Sequence, residues 1–258
     1  MDIPANLGEA FLDWFRARTE AAWAEYRPRA FEDYVARSVG GADWRRGTRW
    51  LNGLTEAESE KVERRWGLAF PPDYRLFLRR MHSVDRPMVG AGYTPYEEVG
   101  KPSRLMRVES PSFHNWLADD DALRARMEWP LEGLLFDTEH SDLWPPSWSA
   151  KPAAAEAREA RVRELVAAAP GLIPVFVHRY LLARPCVAGN PVLSVYQSDI
   201  IVYGADLRGY LLIEFGDLLG LDRERVCGER AAFERTDHYE AIPFWGELIA
   251  GPADAALR

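Results

Sequence analysis

Four side chains able to ligate a metal or move protons fall within six positions: Asp137, Glu139, His140 and Asp142. Carboxylates beside an imidazole are the donors of a divalent-metal site or of a general acid–base pair. The apolar run Leu134-Leu135-Phe136 just before them reads as a short strand. In an extended segment Asp137 and Glu139 project to one side and His140 and Asp142 to the other, so the four cannot converge on one ion. A polar strand end bonded to neighbouring loops is the expected role, and no metal is expected. Elsewhere the reactive groups are scattered. His82, His114, His178 and His238 form no HExxH or other i, i+4 pair. Ser110, Ser194 and Ser198 lack the GxSxG elbow, and no glycine-rich phosphate cradle is present. Cys186 and Cys227 have no CxxC spacing and read as two free, mostly buried thiols. The expectation is a chain with no catalytic residue and no cofactor.

Binding chemistry gathers instead around Tyr196, Gln197, Asp199, Tyr203 and Asp206. Hydrogen-bonding heads beside aromatic area are the mixture found at the centres of protein interfaces. The same residues also have structural uses: Asp199 in a turn, Asp206 as a helix cap, and the tyrosines as half-buried packing. Asp119, Asp120 and Asp121 offer a second candidate, an acidic run that either meets a basic partner or forms a solvated helix face.

The elements that position these groups are specified most sharply from Leu54 to Leu78. Thr55 and Glu58 make a capping box. Val62 and Trp66 lie one turn apart, and Gly67 ends the first helix in a left-handed conformation. Pro71-Pro72 restart the chain, Asp73 places negative charge at the new N-terminus, and Tyr74, Phe77, Leu78 and Met81 form a helical stripe. Upstream, Glu9 to Arg37 reads as one or two helices with Phe11, Phe15, Ala22 and Tyr26 on one face, broken near Pro28, before a turn at Gly40-Gly41. Downstream, Arg86 to Ser112 is irregular with short strands. Phe113 to Met127 reads as a helix with Trp116, Leu117 and Leu123 inward, and Ala153 to Ala169 as another helix carrying a Glu159–Arg163 pair. Leu172–Leu182, Val192–Gln197 and Ile200–Tyr203 are three consecutive antiparallel strands. Asp206 caps a last helix with Leu207, Tyr210, Leu211 and Leu218 inward. The fold expected is α+β, a mixed or antiparallel sheet flanked by helices. Residues 1–50 are read as an N-terminal helical extension and 51–258 as the main domain.

With 258 residues, 47% of them hydrophobic, the chain can bury a sizeable core. Its formal net charge of −8 repels phosphate backbones and anionic membranes, which disfavours nucleic acid and favours a basic protein partner. The N-terminus has no basic start followed by an apolar core, and no run of about 18 apolar residues is present. A cytoplasmic protein is expected.

The corner from Leu54 to Leu78 resembles the SUKH superfamily in its order of leucine, threonine, acidic helix, glycine, proline, aspartate, tyrosine and phenylalanine-leucine. Two later segments are similar to bacterial members as well, LLFDTEHSDLWPPSW from Leu134 and NPVLSVYQSDIIVYGADLRGYLL from Asn190. Together they span most of the chain after Leu51. The second helix departs from the family pattern by ending in Arg79-Arg80-Met81-His82-Ser83. The superfamily includes yeast cell-wall-assembly regulators and many bacterial immunity proteins. The resemblance therefore implies a non-enzymatic immunity protein that binds and neutralises a cognate toxin, the alternative being a regulatory or scaffolding interaction module.

Overall fold

Thr55 opens the helix corner as its side chain requires. Its Oγ1 accepts the Glu58 amide N–H at 3.2 Å, and Glu58 Oε2 accepts the Thr55 amide N–H at 2.8 Å. Both orphan donors are satisfied, and α3 (Glu56–Trp66) begins there. Gly67, at φ 63°, ends it in the left-handed region that a side chain would strain. Pro71 leads into α4 (Pro72–Arg80), which buries Tyr74, Phe77 and Leu78 and stops at buried Met81.

The computed structural model describes residues 2–38, 41–93, 104–110, 112–234, 239 and 241–250. The expected turn at Gly40 lies outside these residues, and Gly41 begins a strand. Two helices precede the corner, α1 (Glu9–Ala24) and α2 (Phe31–Arg37), separated around Pro28. α1 buries Phe11, Leu12, Phe15, Thr19 and Trp23, whereas Ala22 and Tyr26 are only partly covered. These side chains enter the same core as α4: the Phe15 ring lies 5.2 Å from Phe215, and Trp23 lies 5.5 Å from Trp50. The segment between the two helices is tied down by Asp43, whose carboxylate accepts from the Arg29 amide at 2.7 Å and from its guanidinium at 2.8 and 3.0 Å. Burial alone would raise the Asp43 pKa, but the Arg29 bonds hold it below the ordinary carboxylate range.

Two antiparallel sheets follow, one more than expected. β1 (Gly41–Asp43), β2 (Met88–Tyr93) and β3 (Leu105–Ser110) form the first. The second is a meander of β4 (Leu172–Phe176), β5 (Arg179–Leu182), β6 (Val192–Tyr196) and β7 (Asp199–Gly204). The apolar run Leu172–Leu182 makes two strands, because Val177 turns the chain at φ 49°. Most of β4, β5 and β6 is buried on both faces, which explains runs that look continuously hydrophobic, whereas β7 alternates buried and exposed positions. Ile173, Val175, Leu181 and Val192 face the core shared with α1 and α4, while Leu182, Leu193, Val195, Ile200 and Val202 face a second core.

Covering that second face is α5 (Asp120–His140), with α6 (Ala155–Ala168) and α10 (Trp245–Ala250). Here the structure corrects the sequence reading. Residues 113–119 are not helical, Leu117 is exposed, and Leu134-Leu135-Phe136 belong to α5 rather than to a strand. Pro130, Leu134, Asp137 and Thr138 are the buried positions of its second half, at helical spacing. In α6, Arg163 Nε donates to Glu159 Oε1 at 2.9 Å, the expected i, i+4 pair. Asp206 caps α7 (Leu207–Glu214) by accepting the Gly209 amide N–H at 2.7 Å. α8 (Gly216–Leu219) buries Leu219 more fully than the expected Leu218, and α9 (Arg223–Glu234) follows. Both cysteines are exposed, against the expectation that they are mostly buried. No helix among the described residues is long and apolar enough to cross a membrane.

Candidate functional site

The four residues Asp137, Glu139, His140 and Asp142 separate once the segment is helical. Asp137 is 5% exposed and points inward, while Glu139 and His140 face solvent. Asp142 lies beyond the helix, where Lys151 Nζ donates to its carboxylate. No three His, Cys, Asp or Glu side chains gather to hold a metal among the described residues. Asp137 instead serves a turn on another element. Its Oδ2 accepts the Ser198 amide N–H at 2.9 Å and also the Ser198 hydroxyl. Packing brings α5 and this turn together: Gly133 lies so close that a Cβ there would sit 2.8 Å from Gln197 Cα.

That turn carries the predicted binding residues. Tyr196 ends β6, Gln197 holds a left-handed φ of 56°, and Asp199 opens β7 directly opposite Tyr196. Strand pairing places Ser194 opposite Ile201 on the same face, so Tyr196, Asp199 and Ile201 are side by side. Tyr196 is 54% exposed and Ile201 49%. On the opposite face Val195 pairs with Ile200 and both are buried, which fixes the register. Tyr196 is held between two rings, Trp129 of α5 at 5.9 Å and His178 at 6.4 Å. Trp129 is itself fixed through Nε1, which donates to Val195 O at 3.3 Å.

Tyr203 and Asp206 have other engagements. The Arg179 guanidinium stacks 3.8 Å from the Tyr203 ring centre, and Asp206 is occupied as the α7 cap. The predicted set thus divides into exposed Tyr196 and Asp199 with half-buried Gln197 between them, and a supporting pair. Sequence reading missed Ile201 and Trp129, and singled out Asp137 without its role in holding this turn. For Ile201 the signal was present, since strand alternation puts it on the side of Asp199 and Tyr203. For Trp129 and Asp137 it was hidden by the misread helix.

Several of the remaining candidates are committed to structure, while Asp121 is exposed. His82 is buried with Nδ1 2.7 Å from Asn52 O and Nε2 3.2 Å from Asn115 Oδ1. Asp119 accepts the Asn115 amide N–H at 2.8 Å, and Asp120 pairs with Arg65. Ser194 accepts from Arg179 Nη1 at 2.7 Å. His238 lies outside the described residues.

What the fold and this face define is an α+β protein that presents an ordered aromatic–acidic patch on a sheet hairpin. Comparison with protein families, curated proteins and solved structures gives no match to this chain.

Proposed function

We propose that the protein is a non-enzymatic interaction module that binds a protein partner through the β6–β7 hairpin, the partner being a cognate toxin that it neutralises. The observation that carries the binding reading is the pair Tyr196 and Ile201. Two large apolar side chains about half exposed, adjacent on one face and rimmed by Asp199, are costly to leave in water unless they meet a surface. Their support is rigid, because Trp129, His178 and the Asp137–Ser198 clamp hold the hairpin. A preorganised aromatic anchor loses little conformational freedom on binding. The acidic excess of the chain suits a basic partner and speeds encounter with it. The toxin identity comes from the family resemblance alone.

The test is co-expression with any toxin domain encoded beside the gene, with binding measured by calorimetry. The parent protein should restore growth, and Tyr196→Ala with Ile201→Glu should weaken binding at least about tenfold without lowering the melting temperature. Unchanged affinity in that double variant would remove the hairpin as the interface. Failure to protect against any adjacent toxin would remove the immunity reading and leave a regulatory module.

A further inference from the structure

Between the two sheets lies a cleft of about 420 Å³ that the partner-binding reading does not use. Small side chains on β1 and β2, Ala42 and Ala91, leave the room, and Trp44, Val108, Phe176 and Phe215 supply apolar walls. Among the described residues, polar side chains enter only as His178, Arg179 and Glu214. An apolar chamber with a few gathered polar groups has the make-up of a small-molecule site.

The polar end is held rigidly. Arg179 and Glu214 are mostly buried, with side chains 12% and 18% exposed, and Arg179 Nε donates to Glu214 Oε2 at 3.0 Å. Arg179 Nη1 donates to Ser194 Oγ at 2.7 Å and to His178 Nε2. Tyr203 stacks beneath the guanidinium. These contacts fix the Arg179 head and leave its Nη2 without a hydrogen-bond partner among the described residues. Because His178 accepts at Nε2, its neutral ring carries the proton on Nδ1 and offers a second donor. The Glu214 carboxylate is already bound to Arg179. Arg126 lies close enough to act on His178 electrostatically.

We propose that this cleft binds a small carboxylic acid with an aromatic or branched aliphatic body, its body against Trp44, Val108 and Phe176 and its carboxylate on Arg179 and His178. A planar, singly charged head matches a guanidinium edge and one imidazole N–H. A phosphate would bring more negative charge beside Glu214. This inference does not rest on the toxin-binding reading: the cleft and the exposed Tyr196–Ile201 surface share only His178, whose ring also packs against Tyr196.

The probe is 3-phenylpropionate titrated into the full chain, followed by tryptophan fluorescence, which Trp44 should report, and by calorimetry. The alcohol 3-phenylpropanol serves as the uncharged control. One-to-one saturable binding and a raised melting temperature are expected, with the alcohol at least about tenfold weaker. The double variant Arg179→Gln with Glu214→Gln removes both charges together, so neither is left buried alone, and should weaken the acid roughly 10- to 100-fold. Val108→Trp should fill the cleft and abolish binding, and Ala42→Leu is the smaller substitute if the tryptophan variant melts early. The proposal fails if the alcohol binds as tightly as the acid, if binding survives the filled cleft, or if no saturation is seen at about 10 mM acid. Loss of a protein partner in Val108→Trp, with no acid binding to the parent, would overturn it by assigning the cleft to a partner's side chain.

Discussion

Asp137 shows how a residue of catalytic type can be spent on architecture. Its carboxylate is buried against the Ser198 amide and hydroxyl, and so holds the turn that projects Tyr196. Asp137→Ala should leave that amide without its acceptor and cost about 1–3 kcal/mol. Asp137→Asn keeps an acceptor oxygen and should recover most of the loss. Urea midpoints of the two variants decide this, because a residue doing only acid–base chemistry would leave both folds untouched. Gly133 sets up a contest of signs on the same contact. Glycine to alanine in an exposed helix gains about 1 kcal/mol. Here the new Cβ would meet Gln197 backbone at 2.8 and 3.1 Å, and backbone cannot rotate aside. Gly133→Ala should therefore destabilise by about 1–3 kcal/mol and weaken partner binding by displacing the turn. A raised urea midpoint would show that the helix term wins.

Helix α5 is the element whose misreading hid most of the site. Pro130 and Gly133 look like helix breakers, and Leu134-Leu135-Phe136 is too short for periodicity to separate strand from helix. Tertiary packing decides: Pro130, Leu134, Asp137 and Thr138 turn inward together against the second sheet. The α3–α4 corner was legible because each of its instructions is local, a cap, a glycine and two prolines. Strand identities in the second sheet were legible too, whereas the division of residues 172–182 depends on a left-handed Val177 that residue type does not announce. The N-terminal helices illustrate a further limit, since a stripe of aromatics shows that a surface is needed and not which one. α1 lays Phe11, Phe15 and Trp23 into the core of α4 and α7. Phe15→Ala should cost about 3–5 kcal/mol, and removal of residues before Gly41 should abolish cooperative unfolding in urea. A truncated chain with an unchanged transition would make the segment a separable appendage.

At the scale of the whole molecule, two histidines among the described residues are held neutral by burial and make stability depend on acid. His114 is 1% exposed, with neither ring nitrogen hydrogen-bonded. Burial, then the nearby Arg126 charge, push its pKa down to about 4. His178 is lowered to about 4 as well, by burial first, then by Arg179 and Arg126. In the unfolded chain both titrate near 6.5. Between these values the unfolded state binds protons that the folded state refuses, so stability is full above about pH 6.5 and falls as pH drops toward 4. For His114 the full loss is on the order of 3 kcal/mol, and for the partly exposed His178 it is smaller. Other shifted groups do not reproduce this window: Asp43 is depressed below the carboxylate range, Tyr26 is raised to about 12, and Asp73, raised by burial, binds its proton more readily folded than unfolded and so acts in the opposite sense. Urea midpoints measured from pH 8 to pH 4.5 should therefore fall steadily below pH 6.5. His114→Leu, which removes the larger contributor and leaves no buried donor unpaired, should flatten most of that slope. A parent midpoint constant down to pH 5 would mean that His114 charges freely in the folded protein, and hence that water reaches the interior beside Phe113.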